Sequence, residues 1–106
     1  MRASPLVFEE VDREAFTLFS LGERAGKEGG TSPAIYNAAN EVVVEAFLEE
    51  RIGFLEMGDV VSATLDRLGR QPVEDLAHVL EVDREARAVS GEIARVTQRK
   101  FVKKTS

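Results

Sequence analysis

Apolar positions along most of this chain recur at intervals of three and four, the period of a helix with one covered side. The sharpest run is Met57, Val60, Val61, Thr64, Leu65 and Leu68 with polar residues between. It predicts a helix near 56–69, ended by Gly69 and Pro72. Upstream, Ile35, Ala38, Ala39, Val42, Val43, Ala46 and Phe47 cover more than one narrow stripe and predict a central, most buried helix over 33–50. Thr31-Ser32-Pro33 marks its start, with Ser32 as N-cap and Pro33 at the first helical position, where a missing N–H is no loss. Val82, Ala86, Val89, Ile93 and Val96 form a single seam for a last helix near 83–100, capped by Asp83, with 73–80 as an irregular turn. A first helix over 12–28 starts at Asp12, sets Phe16, Phe19 and Leu21 at helical spacing, and stops at Gly29-Gly30. Residues 1–11, with Pro5-Leu6-Val7-Phe8, read as an extended lead-in and 101–106 as a basic tail.

Four helices with short connections, without a repeat or strand-like alternation past the first ten residues, predict one all-α domain over 1–106. The pattern fits a compact four-helix bundle-like domain and does not separate a bundle from an orthogonal array. No segment approaches the roughly 20 apolar residues that a membrane span requires. The chain has no cysteine, so packing alone must hold it, and the expected location is cytoplasmic. Residues 1–92 carry 9 basic and 19 acidic side chains, and 93–106 carry five basic and no acidic ones. An acidic body repels a phosphate backbone, which argues against nucleic acid as a partner. The basic end (Arg95, Arg99, Lys100, Lys103, Lys104) complements the negative terminus of the last helix.

Candidate chemistry is sparse. Glu41, Glu45 and Glu49 form a carboxylate stripe on the second helix, but a carboxylate-bridged metal centre needs histidine partners on separate helices, and His78 stands alone. A solvated face is the favoured reading, and the same holds for Asp75-Leu76-Ala77-His78. Ser32 is accounted for as a cap, so no nucleophilic triad forms around His78. Neither G-x-G-x-x-G nor G-x-x-x-x-G-K-[ST] occurs, so no phosphate loop can be named. No catalytic, cofactor-binding or metal-binding residue is assigned. The unusual feature is Asn37-Ala38-Ala39-Asn40-Glu41, two amides one turn apart on an apolar helix. Buried amides need partners, so Asn37, Asn40, Glu41 and Ser32 are expected to be structural, the amides pinning a loop or the chain ahead of the first helix.

The run Gly29-Gly30-Thr31-Ser32-Pro33-Ala34-Ile35-Tyr36-Asn37-Ala38-Ala39-Asn40-Glu41-Val42, with Glu45-Ala46-Phe47-Leu48 and Arg51-Ile52-Gly53-Phe54-Leu55, resembles the closing domain of the 1-deoxy-D-xylulose 5-phosphate reductoisomerase family. Leu6 to Asp12 resembles the family's entry into that domain, and Val79 to Asp83 with Ala86-Arg87 its entry into the last helix. Thr17, Gly22 and Tyr36 depart from it, standing where proline, alanine and an aliphatic residue are usual. The resemblance implies a helical support domain of an NADPH-dependent enzyme of non-mevalonate isoprenoid biosynthesis that uses magnesium or manganese. The cofactor-binding and catalytic domains precede the matched region in the family, so the chain alone is expected to be inactive, with the catalytic part as its partner. A free-standing helical interaction module is the alternative. Self-association through an uncovered apolar face is a third reading.

Overall fold

A computed structural model of the chain describes the backbone of residues 5–105 and the side-chain surroundings of 12–98; the side chains of Arg99, Lys100, Lys103 and Lys104 lie outside that set. The described residues form α1 (Pro5–Glu28), α2 (Ser32–Leu48), a 3-10 turn (Phe54–Glu56), α3 (Met57–Leu68) and α4 (Leu76–Thr105), without a strand among them. The all-α expectation holds. α1 and α4 each pack on both α2 and α3. Thr31 bonds to Gln71 just ahead of α4 and Glu41 to Arg87 within it, so α2 and α4 advance in the same direction.

Several boundaries differ from the sequence reading. Residues 5–11 are helical, not extended, and Asp12 is an interior helical residue rather than a cap. Proline suits a first helical position, and no breaker lies between it and Gly22, so each residue is added to an existing helix at little cost despite the β-branched Val7 and Val11. α4 begins at Leu76, and its cap is Asp75, not Asp83. Asp75 Oδ1 accepts the His78 N–H at 2.8 Å, and His78 Nδ1 accepts the Glu74 N–H at 3.2 Å. Asp75 thus caps the helix, and the imidazole reaches back past it to the N–H of the preceding residue, one position earlier than in a capping box. Asp83 instead accepts from Arg87 one turn along the same helix.

The start of α2 is shifted too. Ser32 lies inside the helix, Thr31 is the flanking residue, and no side chain caps it. The Ser32 hydroxyl donates back to Glu28 Oε1 at 3.0 Å. The reason is that Thr31 is held elsewhere: its N–H donates to the Gln71 carbonyl (2.8 Å) and its Oγ1 accepts the Gln71 N–H (2.9 Å). Arg70 Nε adds a bond to the Glu28 carbonyl at 2.7 Å. Gly29 and Gly30, at φ 67° and 58°, turn the chain between α1 and α2, and a Cβ at Gly30 would overlap the Gln71 carbonyl oxygen. The far end of α2 closes as a Schellman turn, Arg51 N–H to Ala46 O and Glu50 N–H to Phe47 O, with Glu50 at φ 60° where glycine is usual.

The core is built from small residues. Ala25, Ala38, Ala39, Ala46, Ala86 and Ala94 are buried with Val43, Val60, Val61, Ile35 and Ile52. α3 matches its predicted face, and with six buried positions in 12 residues it is more buried than α2, which has six in 17. The seam of α4 is rotated from the predicted one: Val82, Ala86, Ser90 and Ala94 are buried and Val96 is exposed. Small side chains let two helix axes approach closely, and the Ser90 hydroxyl is satisfied by the Ala86 carbonyl at 2.7 Å. Phe16 and Phe19 are exposed instead of buried; the covered side of α1 is Leu18, Leu21 and Ala25, with Glu14 half-buried.

Gly22 and Tyr36 are fitted to each other. The Tyr36 ring lies over Gly22, where a Cβ would come 3.0 Å from Cζ, and its hydroxyl donates to the Leu18 carbonyl at 3.2 Å. The ring uses the space that an alanine methyl would fill.

Two stability outcomes are expected. Gly30→Ala should cost about 2 kcal/mol or more, since it adds overlap with Gln71 to the left-handed strain, while Gly29→Ala should carry only the strain, about 1 kcal/mol. Urea unfolding that ranks the two equally would show that the Gly30 approach is slack. For Gly22→Ala, the helix-propensity gain of about 1 kcal/mol should appear in a Tyr36→Leu background and be largely cancelled beside Tyr36. A double-mutant cycle with no coupling would separate the two positions.

Candidate functional site

The polar residues that a function could use lie on the outer side of α2 and at the N-termini of α3 and α4. Asn37 is exposed, and its Nδ2 donates to Glu41 Oε2 at 3.4 Å. Glu41 also accepts from Arg87 Nη2 at 2.9 Å, joining α2 to α4. The Arg87 guanidinium is pushed above its ordinary value by its hydrogen bonds to Asp83 and then Glu41. Asn40 is half-buried and lines an open groove with Glu41, Val44, Glu45, Leu48 and Glu49. Among the described residues neither amide bonds to another helix or loop; the contact between elements belongs to Glu41.

Two of the three carboxylates of the stripe are paired within the fold. Glu41 is paired with Arg87, and Glu49 accepts from Arg51 Nε at 2.7 Å. Exposed pairs of this kind add little to stability and act mainly to fix side-chain positions. Among the described residues, no three His, Cys, Asp or Glu side chains converge as a metal site. No buried side-chain nitrogen or oxygen among them lacks a partner.

One carboxylate plays a part that its neighbours in sequence do not reveal. Glu14, on α1, accepts the Gly58 N–H through Oε1 at 2.6 Å and so caps the first turn of α3, for which Glu56 supplies no side-chain cap. Burial raises the Glu14 carboxyl above its ordinary value; the Gly58 bond opposes this, and the nearby Asp59 and Glu56 carboxylates add to the rise. Glu56 is turned the other way, accepting the Gly53 N–H at 2.9 Å.

Fold and surface together define an all-α bundle domain whose polar groups cap helices and fasten one helix to another. The family model for the DXP reductoisomerase C-terminal domain matches residues 1–89. The chain is 43% identical over 100 residues to a 1-deoxy-D-xylulose 5-phosphate reductoisomerase of Burkholderia multivorans, covering 94% of this chain and 25% of that protein. Reductoisomerases of Rhodospirillum centenum (44% over 93 residues; 88% of this chain, 23% of the relative) and Acinetobacter baumannii (42% over 87; 82% and 22%) are similar to the same extent. The chain belongs to the DXP reductoisomerase C-terminal domain family. It spans about a quarter of the length of these curated relatives.

Glu14 gives a pH prediction. Its carboxyl value is raised in the folded state, so the stability it contributes is complete below the ordinary value of 4.5 and is lost as pH rises through the raised native value. Glu14→Gln keeps an oxygen for Gly58 but has no proton to lose, so that component of the pH dependence should vanish. Glu14→Ala should cost about 1–2 kcal/mol at pH 7 by leaving the Gly58 N–H unpaired. Denaturation between pH 4 and 7 checks both; identical pH slopes for Gln and wild type would remove Glu14 as the titrating group.

Proposed function

We propose that the chain serves as the non-catalytic helical closing domain of a 1-deoxy-D-xylulose 5-phosphate reductoisomerase, an NADPH- and divalent-metal-dependent enzyme of non-mevalonate isoprenoid biosynthesis. The supporting observation is the family match over residues 1–89, on a helical domain in which Glu14 caps a helix and Glu41 joins two helices. The described residues do not fit the enzyme's cofactors. The glycines with positive φ lie in turns, and Gly30 is closed off by the Gln71 carbonyl, so no amide cradle is open to a phosphate. Among the described residues the acidic side chains do not converge on a cation site. NADPH and magnesium or manganese therefore belong, in this proposal, to the catalytic part of the enzyme, with which the domain associates in the cytoplasm. No helix among the described residues is long and apolar enough to cross a membrane.

The chain assayed alone with substrate, NADPH and magnesium should show no turnover, and measurable turnover would overturn the non-catalytic role. Placed in the Burkholderia multivorans reductoisomerase in exchange for that enzyme's own closing domain, it should support activity. A folded but inactive chimera would favour the rival reading of a free-standing interaction module.

A further inference from the structure

Phe16 and Phe19 are 69% and 62% exposed, although they are among the largest apolar side chains in the chain. Three residues apart on α1, they share one side of it, opposite Leu18, Leu21 and Ala25. They stand in the uncharged stretch Ala15–Gly22 of a chain that is 31% charged. The other exposed apolar positions are interrupted by carboxylates. Val44 and Leu48 alternate with Glu41, Glu45 and Glu49, and Leu76 and Leu80 lie among Glu74, Asp75 and Glu81. Two exposed phenyl rings one turn apart, in a stretch without charge and bounded along the same face by Asp12 and Glu23, are the kind of surface that another apolar surface covers.

What covers it follows from where the relatives' remaining chain lies. This domain is the C-terminal one of its family and a quarter of the relatives' length, so about three quarters of those chains come before it and arrive on the side of α1. The inner side of α1 is taken by α2 and α3, which leaves its outer side to face the incoming part. We propose that Phe16 and Phe19 form the docking face through which the domain seats on an apolar surface of the enzyme's catalytic part. The proposal rests on the closing-domain reading and adds the face and the two anchoring side chains.

The test uses the full-length chimera with the Burkholderia multivorans enzyme. A seated domain unfolds together with the rest in one thermal transition, and an unseated one separately. The unaltered chimera should be active and unfold in one step. With F16S and F19S together it should unfold in two steps and lose activity by about tenfold or more, as expected for two central apolar anchors. The same pair in the chain alone should leave its helical circular dichroism unchanged, because both rings are exposed. The control Leu48→Ser should leave the chimera as it was. An F16S/F19S chimera that keeps one transition and full activity overturns the docking face while the closing-domain reading stands; an inactive unaltered chimera overturns both. Leu48→Ser alone reproducing the loss moves the face to α2 and overturns the proposal. Sedimentation of the unaltered chain should give a monomer, and a dimer abolished by F16S/F19S would assign the face to a second copy and overturn it as well.

Discussion

The two-way hydrogen bond between Thr31 and Gln71 closes a loop of 40 residues that contains both central helices. Without it the directions in which α1 and α4 leave the α2–α3 pair would rest on helix packing and on single bonds such as Glu41–Arg87 and Glu14–Gly58. With it, the turn after α1 and the segment before α4 become one corner, and the outer helices are aimed from that corner across the α2–α3 pair. Thr31 is 1% exposed, so the bonds form away from water, where they are stronger and where leaving one unmade is most costly. Gly30 is the steric condition for the contact, since only a residue without Cβ lets the Gln71 carbonyl approach so closely. The rule that a serine before a proline caps the helix fails here for the same reason: the corner has already engaged the residue ahead of it.

The corner sets direction, and the small residues set distance. Alanines on α1, α2 and α4 meet the valines of α2 and α3 in a core with no fully buried aromatic among the described residues. Such a core tolerates few enlargements, because closely approaching backbones have no flexible side chain between them to give way. Tyr36 lies at the edge of this arrangement and fits only because Gly22 faces it. A ring at 36 and the absence of a Cβ at 22 belong together, as a close-packed interior requires.

Helix existence was readable from the chain wherever glycine, proline and a period near 3.6 agreed, and α3 is the clearest case. What was not readable came from contacts between distant residues. Glu14 caps α3 across 44 residues and Thr31 joins Gln71 across 40, and no local motif announces either. The α4 seam was misplaced because alanine and serine carry little weight in a hydrophobic pattern, yet Ala86, Ser90 and Ala94 are the residues that allow contact. Asp75 and Asp83 are equally good caps by composition; the choice between them depends on where the corner at Gln71 releases the chain into α4. Within the candidate site, Glu41, read from the sequence as part of a solvated carboxylate stripe, bonds to Arg87 on α4, a link that no local motif announces.

Phe16 and Phe19 were expected inside because helical spacing shows that two residues share a side, not which side is inward. Their exposure reverses the usual distribution of sizes, in which large apolar residues fill the core and small ones are spread more evenly. Here alanine and valine make up much of the core, with Leu21, Leu65, Ile35, Ile52 and Met57, while Phe16, Phe19 and Leu48 stand outside it. Scattered exposed apolar residues need no explanation, but two exposed phenyl rings one turn apart on the same face differ from scatter. Enlarging the core to take them in would require the helices to separate, and the alanine contacts and the Thr31 corner hold them together. The interior is therefore complete without the two rings, and covering them is left to a surface that the domain does not itself supply.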